Sequence, residues 1–382
     1  MKGFKNIKIY VEGKGIVVTS LAVDNGKIVN IGDDLEVEEY CPSIEGYLVV
    51  PGFIDQHIHG ANGADAMDGD IKKVNQLAVA VAQEGTTSFL PTTMTQSPEN
   101  IIKALTAINE YMHSNPSTGA KVLGVHLEGP YISTDFIGAQ PLEYVQKPTV
   151  ESFKRYQEAS GDNIRIVSLA PEVEGSDELI KYLVDNNILV SIGHTSAKYN
   201  DVEKAVLGGA RNVTHTYNAQ KPLHHREIGT VGSALLIDDL NCELICDTIH
   251  VSVPAIRLVI KSKPADKVTL ITDSLEAKYL PDGNYELGGQ AVVVINGEAR
   301  LHNGTLAGSV LRMNVAVKNV HQLAGIELTK VLDMASINPA KNIGVDKERG
   351  SIKVGKYADF VVLDENFDVV MTISEGRVIY QR

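Results

Sequence analysis

Glu128 ends a short apolar run, Val122 to Leu127, and Gly129-Pro130 stops that run abruptly. A glutamate in that position is ordinarily a solvated loop residue. Here four histidines hold matching positions at the ends of other apolar runs: His57, His59, His194 and His215. His57 and His59 are two apart, so on a strand both imidazoles point to one face. Imidazole and carboxylate together suit zinc, iron or manganese, which makes Glu128 the hub of a predicted metal site. Asp273, in Ile271-Thr272-Asp273-Ser274, adds a second carboxylate at the same kind of strand end. Any one of these residues alone would read as a packed or rim side chain; six at one edge predict a site. Among the other histidines, His113 and His321 fall in helical patterns and are expected to be solvated, and His126 to pack beneath Glu128.

Such residues converge only if their strands share an edge. The predicted strands are Leu48–Ile58, Thr86–Leu90, Val122–Leu127, Ile164–Leu169, Ile188–Ile192, Asn212–Thr214, Cys242–Ile245 and Val268–Ile271. The segments between them carry helical spacing; Ile71, Val74, Leu77, Ala78, Val81 and Ala82 form one apolar face. Ser97-Pro98-Glu99 caps and starts the next helix. Eight βα units in this length predict an α/β fold, a (β/α)8 TIM barrel, with active-site residues at the C-terminal ends of its strands. Residues 279–305, with Pro281-Asp282-Gly283-Asn284 and Asn296-Gly297, are expected to form a β-hairpin insertion after the eighth strand, and Val310–Leu323 and Glu327–Ser336 two closing helices. Short strand-like runs at both ends lack the numbers for separate sheets, so they are expected to combine into one small β-sandwich. The predicted division is 1–48 with 347–382 for that domain and 49–346 for the barrel.

The chain has 382 residues, 43% hydrophobic and 22% charged, as in an ordinary globular protein. Its formal net charge of −13 argues against nucleic acid and anionic membrane as partners, since both favour a basic surface. A small anion stays open, because a pocket can be locally positive. Cys41, Cys242 and Cys246 form no disulfide framework and no zinc-finger spacing, so Cys242 and Cys246 read as packing residues. MKGFKNIKIY has no apolar signal core and no run of about 18 apolar residues occurs, which predicts a cytoplasmic protein.

The order H-x-H on the first strand, acidic ligand on the third, histidines on the fifth and sixth and aspartate on the eighth resembles the amidohydrolase superfamily. Ala335-Ser336-Ile337-Asn338-Pro339-Ala340, Gly350-Ser351-Ile352 and Gly355-Lys356-Tyr357-Ala358-Asp359 resemble it too. His126-Leu127-Glu128-Gly129-Pro130, Gly193-His194-Thr195, His215-Thr216-Tyr217-Asn218-Ala219, Leu223-His224-His225-Arg226-Glu227 and Leu306-Ala307-Gly308-Ser309 are similar to one branch, the deacetylases of N-acetylated amino-sugar 6-phosphates.

The resemblance implies that Glu128, His194 and His215 bind the main metal and that Asp273 is the general acid/base. Some members lack the H-x-H and bind one ion, and His57 and His59 put this chain among those that can bind a second, bridged by Glu128. One or two divalent ions per subunit are expected, zinc first, with iron or manganese next. It implies that Asn218, Ala219, Arg226 and His250, with backbone from Leu306 through Ala307 to Gly308, surround the sugar phosphate. The phosphate is expected on Arg226, His250 and the amides of Asn218-Ala219. Ala139 lies on a covering loop; Gln140 beside it, where some members carry histidine, receives no catalytic role. A homodimer is implied, with Arg226 acting across it. The expected reaction turns N-acetyl-D-glucosamine 6-phosphate into D-glucosamine 6-phosphate and acetate. The galactosamine epimer stays open, as backbone groups can read one inverted hydroxyl. Cyclic-amide hydrolases commonly use a carboxylated lysine on the fourth strand, and Ile164–Leu169 has none. A non-catalytic barrel would have lost Asp273 or a ligand, and all are present.

Overall fold

The computed structural model describes residues 1–40, 46–114 and 116–382; Cys41 lies outside them. Eight parallel strands follow one another around a barrel: β1 (Phe53–Ile58), β2 (Thr86–Thr93), β3 (Val125–Glu128), β4 (Ile164–Leu169), β5 (Leu189–Ile192), β6 (Asn212–Val213), β7 (Asn241–Ile245) and β8 (Val268–Ile271). The ring closes where the Asp273 N–H donates to the His57 carbonyl (2.9 Å) and the His59 N–H to that of Ser274 (2.9 Å). Each strand is followed by a helix: α1 (Ile71–Ala82), α2 (Pro98–His113), α3 (Val150–Ala159), α4 (Ser176–Asp185), α5 (Tyr199–Leu207), α6 (Gly229–Leu236), α7 (Val253–Ser262) and α8 (Met313–Lys318). On α1 the predicted face is the buried one, with Val74, Leu77, Ala78 and Val81 packed on the barrel.

The run Leu48–Ile58 is two strands, not one. Gly52 divides it because its position lies against Thr87; a Cβ there would sit 2.1 Å from Thr87 Oγ1. Leu48–Pro51 turns away to pair with Phe360–Leu363 and with Lys2–Val11. Strands of both termini thereby join one continuous eight-stranded sheet. Its core, Phe4, Ile9, Leu21, Val49, Phe360, Val362 and Met371 among others, is separate from that of the barrel. After β8 the chain forms three antiparallel strands, one more than a hairpin: Gly283–Leu287, Gln290–Ile295 and Glu298–Leu301. Their apolar face packs on Met94, Leu275 and Ala307 beside the strand ends. The closing helices are shorter than expected: α8 runs into a wider turn over Asn319–Leu323, and Leu328–Ala335 and Ile337–Asn342 follow. Among the described residues no helix is long and apolar enough to cross a membrane.

Candidate active site

The predicted ligands meet at the C-terminal mouth of the barrel. Glu128, last residue of β3, is 2% exposed. Its Oε1 lies 3.0 Å from His215 Nε2, 3.2 Å from His194 Nε2 and 3.4 Å from His57 Nε2. Its Oε2 lies 3.2 Å from His59 Nε2. Asp273 Oδ1 is 3.2 Å from His59 Nε2 and 3.5 Å from His57 Nε2. Asp55 ties β1 to β8 beneath them, accepting from Thr272 Oγ1 at 2.5 Å and from the His57 amide at 3.3 Å.

Two groups fit a divalent cation, Glu128-His194-His215 and His57-His59-Glu128, and they share Glu128. Three of the four imidazoles have a partner for Nδ1: His57 at Glu243 Oε2 (3.2 Å), His59 at the Thr92 carbonyl (3.1 Å) and His194 at the Phe136 carbonyl (3.1 Å). A ring that donates through Nδ1 presents the Nε2 lone pair, the usual arrangement of a metal-binding histidine. His57 Nε2 is buried with no hydrogen-bond partner, and His194 and His215 set Nε2 against Nε2 at 3.1 Å. Nitrogens and carboxylates so placed need positive charge between them, carried either by protons on the rings or by a metal ion. Protonation follows the same balance. Burial works against charge throughout, yet the His57 charge and the hydrogen bonds from His194 and His215 hold Glu128 well below the usual carboxylate range. Asp273 is likewise kept down at about 2, chiefly by His57, while Asp273 and Glu128 push His59 up to about 10. A metal cation answers the same pull. A third group, His57-His126-Glu243, does not fit one: His126 already spends Nδ1 on the Gln56 carbonyl (3.1 Å) and Nε2 on Ser168 Oγ (2.7 Å).

His194 (φ 47°), His215 (φ 29°) and Asp273 (φ 48°) all sit in the left-handed region. That backbone is uncommon for non-glycine residues and clusters where a site demands a fixed side-chain direction. Gly193 lets the ends of β5 and β6 approach, since a Cβ there would lie 2.6 Å from Thr214 Cβ.

Above the ligands is a cavity of about 240 Å³. Asp273, Ala139, Asn218, Ala219, His250, Leu306 and Gly308 line it, with His59, Glu128, His194 and His215; His57 is beneath, fully buried. His250 Nδ1 meets Asp247 Oδ2 at 2.6 Å. Ala307, whose backbone is expected near the substrate, is not among the lining residues: its side chain packs in the apolar cluster and its N–H donates to the Ala299 carbonyl (3.0 Å). The Asn218 N–H, expected on phosphate, donates to the His215 carbonyl (2.9 Å), closing the turn that aims His215. Arg226 is exposed, against His225 Nε2 at 2.7 Å, and does not line the cavity of its own chain.

Gln140, given no role from sequence, is buried at the wall. Its Nε2 donates to Glu128 Oε2 (2.8 Å) and its Oε1 accepts from the Thr95 amide (2.7 Å). Glu243 was not singled out either, although a carboxylate inside the apolar run Cys242–Ile245 is the signal that marks it. His126 is buried as expected and His113 exposed, but His321 is half-buried, its Nδ1 on the Ile326 carbonyl (2.8 Å). Cys242 and Cys246 are free and buried.

A barrel with histidine and carboxylate ligands at its strand ends defines a class, and the chain belongs to the amidohydrolase family, whose sequence profile matches residues 48–379. Within it, the chain is 40% identical to the N-acetylglucosamine-6-phosphate deacetylase of Bacillus subtilis over 98% of this chain and 96% of that one. It is 37% identical to the N-acetylgalactosamine-6-phosphate deacetylase of Escherichia coli O157:H7, covering 87% of each. The crystal structure of N-acetylglucosamine-6-phosphate deacetylase from Thermotoga maritima superposes with a TM-score of 0.90 at 37% identity over 100% of both chains. Members of the family typically bind a divalent metal.

Proposed function

We infer that this chain hydrolyses the N-acetyl amide of N-acetyl-D-glucosamine 6-phosphate, releasing acetate and D-glucosamine 6-phosphate. The observation that carries this reading is Asp273, a carboxylate facing the cavity at the rim of a shared histidine–glutamate ligand set. Glu128, His194 and His215 would hold the main ion and His57, His59 and Glu128 a second one, zinc being the best match to this donor set. Such an ion lowers the pKa of water to about 7 and polarises a carbonyl. Asp273 takes the proton of the attacking water and delivers it to the amide nitrogen, without which a basic amine would not depart. Gln140 holds Glu128 from the side opposite His215, and the walls formed by Ala139, Leu306 and Gly308 enclose the sugar.

The phosphate goes to His250, Ala219 and the Asn218 side chain, with Arg226 supplied by a second copy of the chain. Arg226 suits that task because its planar fork meets two phosphate oxygens and keeps its charge. We take the protein to be a cytoplasmic homodimer whose catalytic barrel runs from Phe53 to about residue 346, the expected start at 49 moving because Leu48–Pro51 belongs to the terminal sheet. The galactosamine epimer is the second reading, favoured by the relative that carries that name. The test is acetate release by metal-loaded protein from both N-acetylhexosamine 6-phosphates, with kcat/KM compared. The glucosamine compound is expected to be preferred; a preference for the epimer selects the second reading, and no acetate from either overturns both.

A further inference from the structure

The barrel beneath the ligands is polar where stacked aliphatic layers are usual. At its centre is Glu243, in the middle of β7 and fully buried. Four donors converge on it. Gln56 Nε2 (2.6 Å) and Asn212 Nδ2 (2.9 Å) reach Oε1; His57 Nδ1 (3.2 Å) and the His215 backbone N–H (3.2 Å) reach Oε2. Only a carboxylate offers lone pairs for all four. The donors are themselves fixed. Asn342 Nδ2 donates to Gln56 Oε1 (3.1 Å) and Asn212 Oδ1 (2.9 Å), so both amides turn their NH2 groups to Glu243. A backbone amide has no choice of direction, and His57 is left to donate through Nδ1. Its Nε2, buried and without a hydrogen-bond partner, then faces Glu128 and Asp273 as a lone pair.

We propose that Glu243 is a positioning residue of the metal centre, holding the His57 ring in the tautomer and orientation that make Nε2 a ligand. It acts on the His57–His59 half directly, through the His57 ring, and on the His194–His215 half only through the backbone amide of His215. This rests on the reading that the cluster binds metal, but not on the identity of the substrate.

The experiment is a Zn2+ titration of chelator-stripped protein against a chromophoric competing chelator, for wild type and Glu243→Gln. An amide in place of the carboxylate still fits the space but lacks the charge and two of the acceptor sites. Loss of such a ligand-orienting partner typically weakens metal binding about 10- to 100-fold. That loss is expected in the second equivalent, with the first, which Glu243 touches only at the His215 amide, weakened clearly less. If Glu243→Gln does not fold, as judged by circular dichroism, Glu243→Asp carries the same readout, its shorter carboxylate falling away from His57. Both equivalents weakened alike would mean a merely structural residue; an unchanged second equivalent, or a wild type that binds only one, also overturns the proposal. Acetate release fails or succeeds separately and reports on the deacetylase reading.

Discussion

His194 and His215 reach Glu128 from left-handed backbones, whereas His57 and His59 come from the end of β1 without positive φ; His59 lines the cavity with the first two, and His57 is sealed below. The two pairs are held by different means. Sparsely populated backbone costs on the order of 1–3 kcal/mol per residue and persists only where the surroundings over-determine it. Around His194 those surroundings are Glu172, which accepts from Thr195 Oγ1 (2.5 Å) and the Ser196 amide (2.6 Å), and the Phe136 carbonyl. Around His57 they are the side chains of Glu243 and its partners inside the barrel. Strain thus aims His194 and His215, and a satisfied polar interior aims His57, the one imidazole of the four that does not line the cavity. On the proposed reading, the open pair, His194 and His215, belongs to the chemistry, and His57 and His59 support a second ion.

The comparison can be broken most sharply at the open pair. His194→Ala or His215→Ala is expected to lower kcat by about 10³-fold or more, since several kcal/mol of charge stabilisation leave with the main ion. Metal analysis of the same proteins should show that ion lost; full activity with either residue missing would remove the distinction. Next is Asp273→Asn, which keeps shape and ligands but not the base. Here kcat should fall at least about 10²-fold with metal content intact, as for a lost proton transfer.

Arg226→Ala tests the part of the site proposed to come from a second copy of the chain. Removing a charge-assisted contact worth about 1.5–3 kcal/mol should cut kcat/KM for the phosphorylated sugar roughly 10- to 150-fold. The unphosphorylated sugar should be little affected; equal losses for both would make Arg226 structural. Mixing Arg226→Ala with Asp273→Asn chains should restore activity in heterodimers if the arginine works in trans. The smallest effect on turnover is expected from replacing His57 and His59 together. Bound metal should fall towards one equivalent, while kcat drops less than in any exchange at His194, His215 or Asp273.

Much of this was legible in the sequence because strand ends are punctuated. Glu128 before Gly129-Pro130, His194 after Gly193 and the His57–His59 spacing mark where strands stop, and barrel topology then brings them together. What stayed hidden depends on contacts between distant segments. Gln140 meets Glu128 only because its loop folds back over the mouth, and nothing local signals that. Glu243 passed as part of an apolar strand, since inward and outward positions of β7 are distinguished only once its neighbours are placed. The Asn218 amide was expected on a ligand because its use by His215 is a turn within the motif itself. The split at Gly52 was hidden for the same kind of reason: Leu48–Pro51 reads as barrel strand until Phe360–Leu363 arrives from the far end to pair with it.

The division of labour between the two histidine pairs is tested most directly by following acetate release from N-acetyl-D-glucosamine 6-phosphate as Zn2+ is added back to chelator-stripped protein. Most of the final kcat is expected to appear with the first equivalent, bound at His194, His215 and Glu128, and the second should add a smaller increment. Activity that appears only with the second equivalent would contradict the assignment of chemistry to the open pair, and acetate release unaffected by stripping and restoring the metal would contradict the metal site itself.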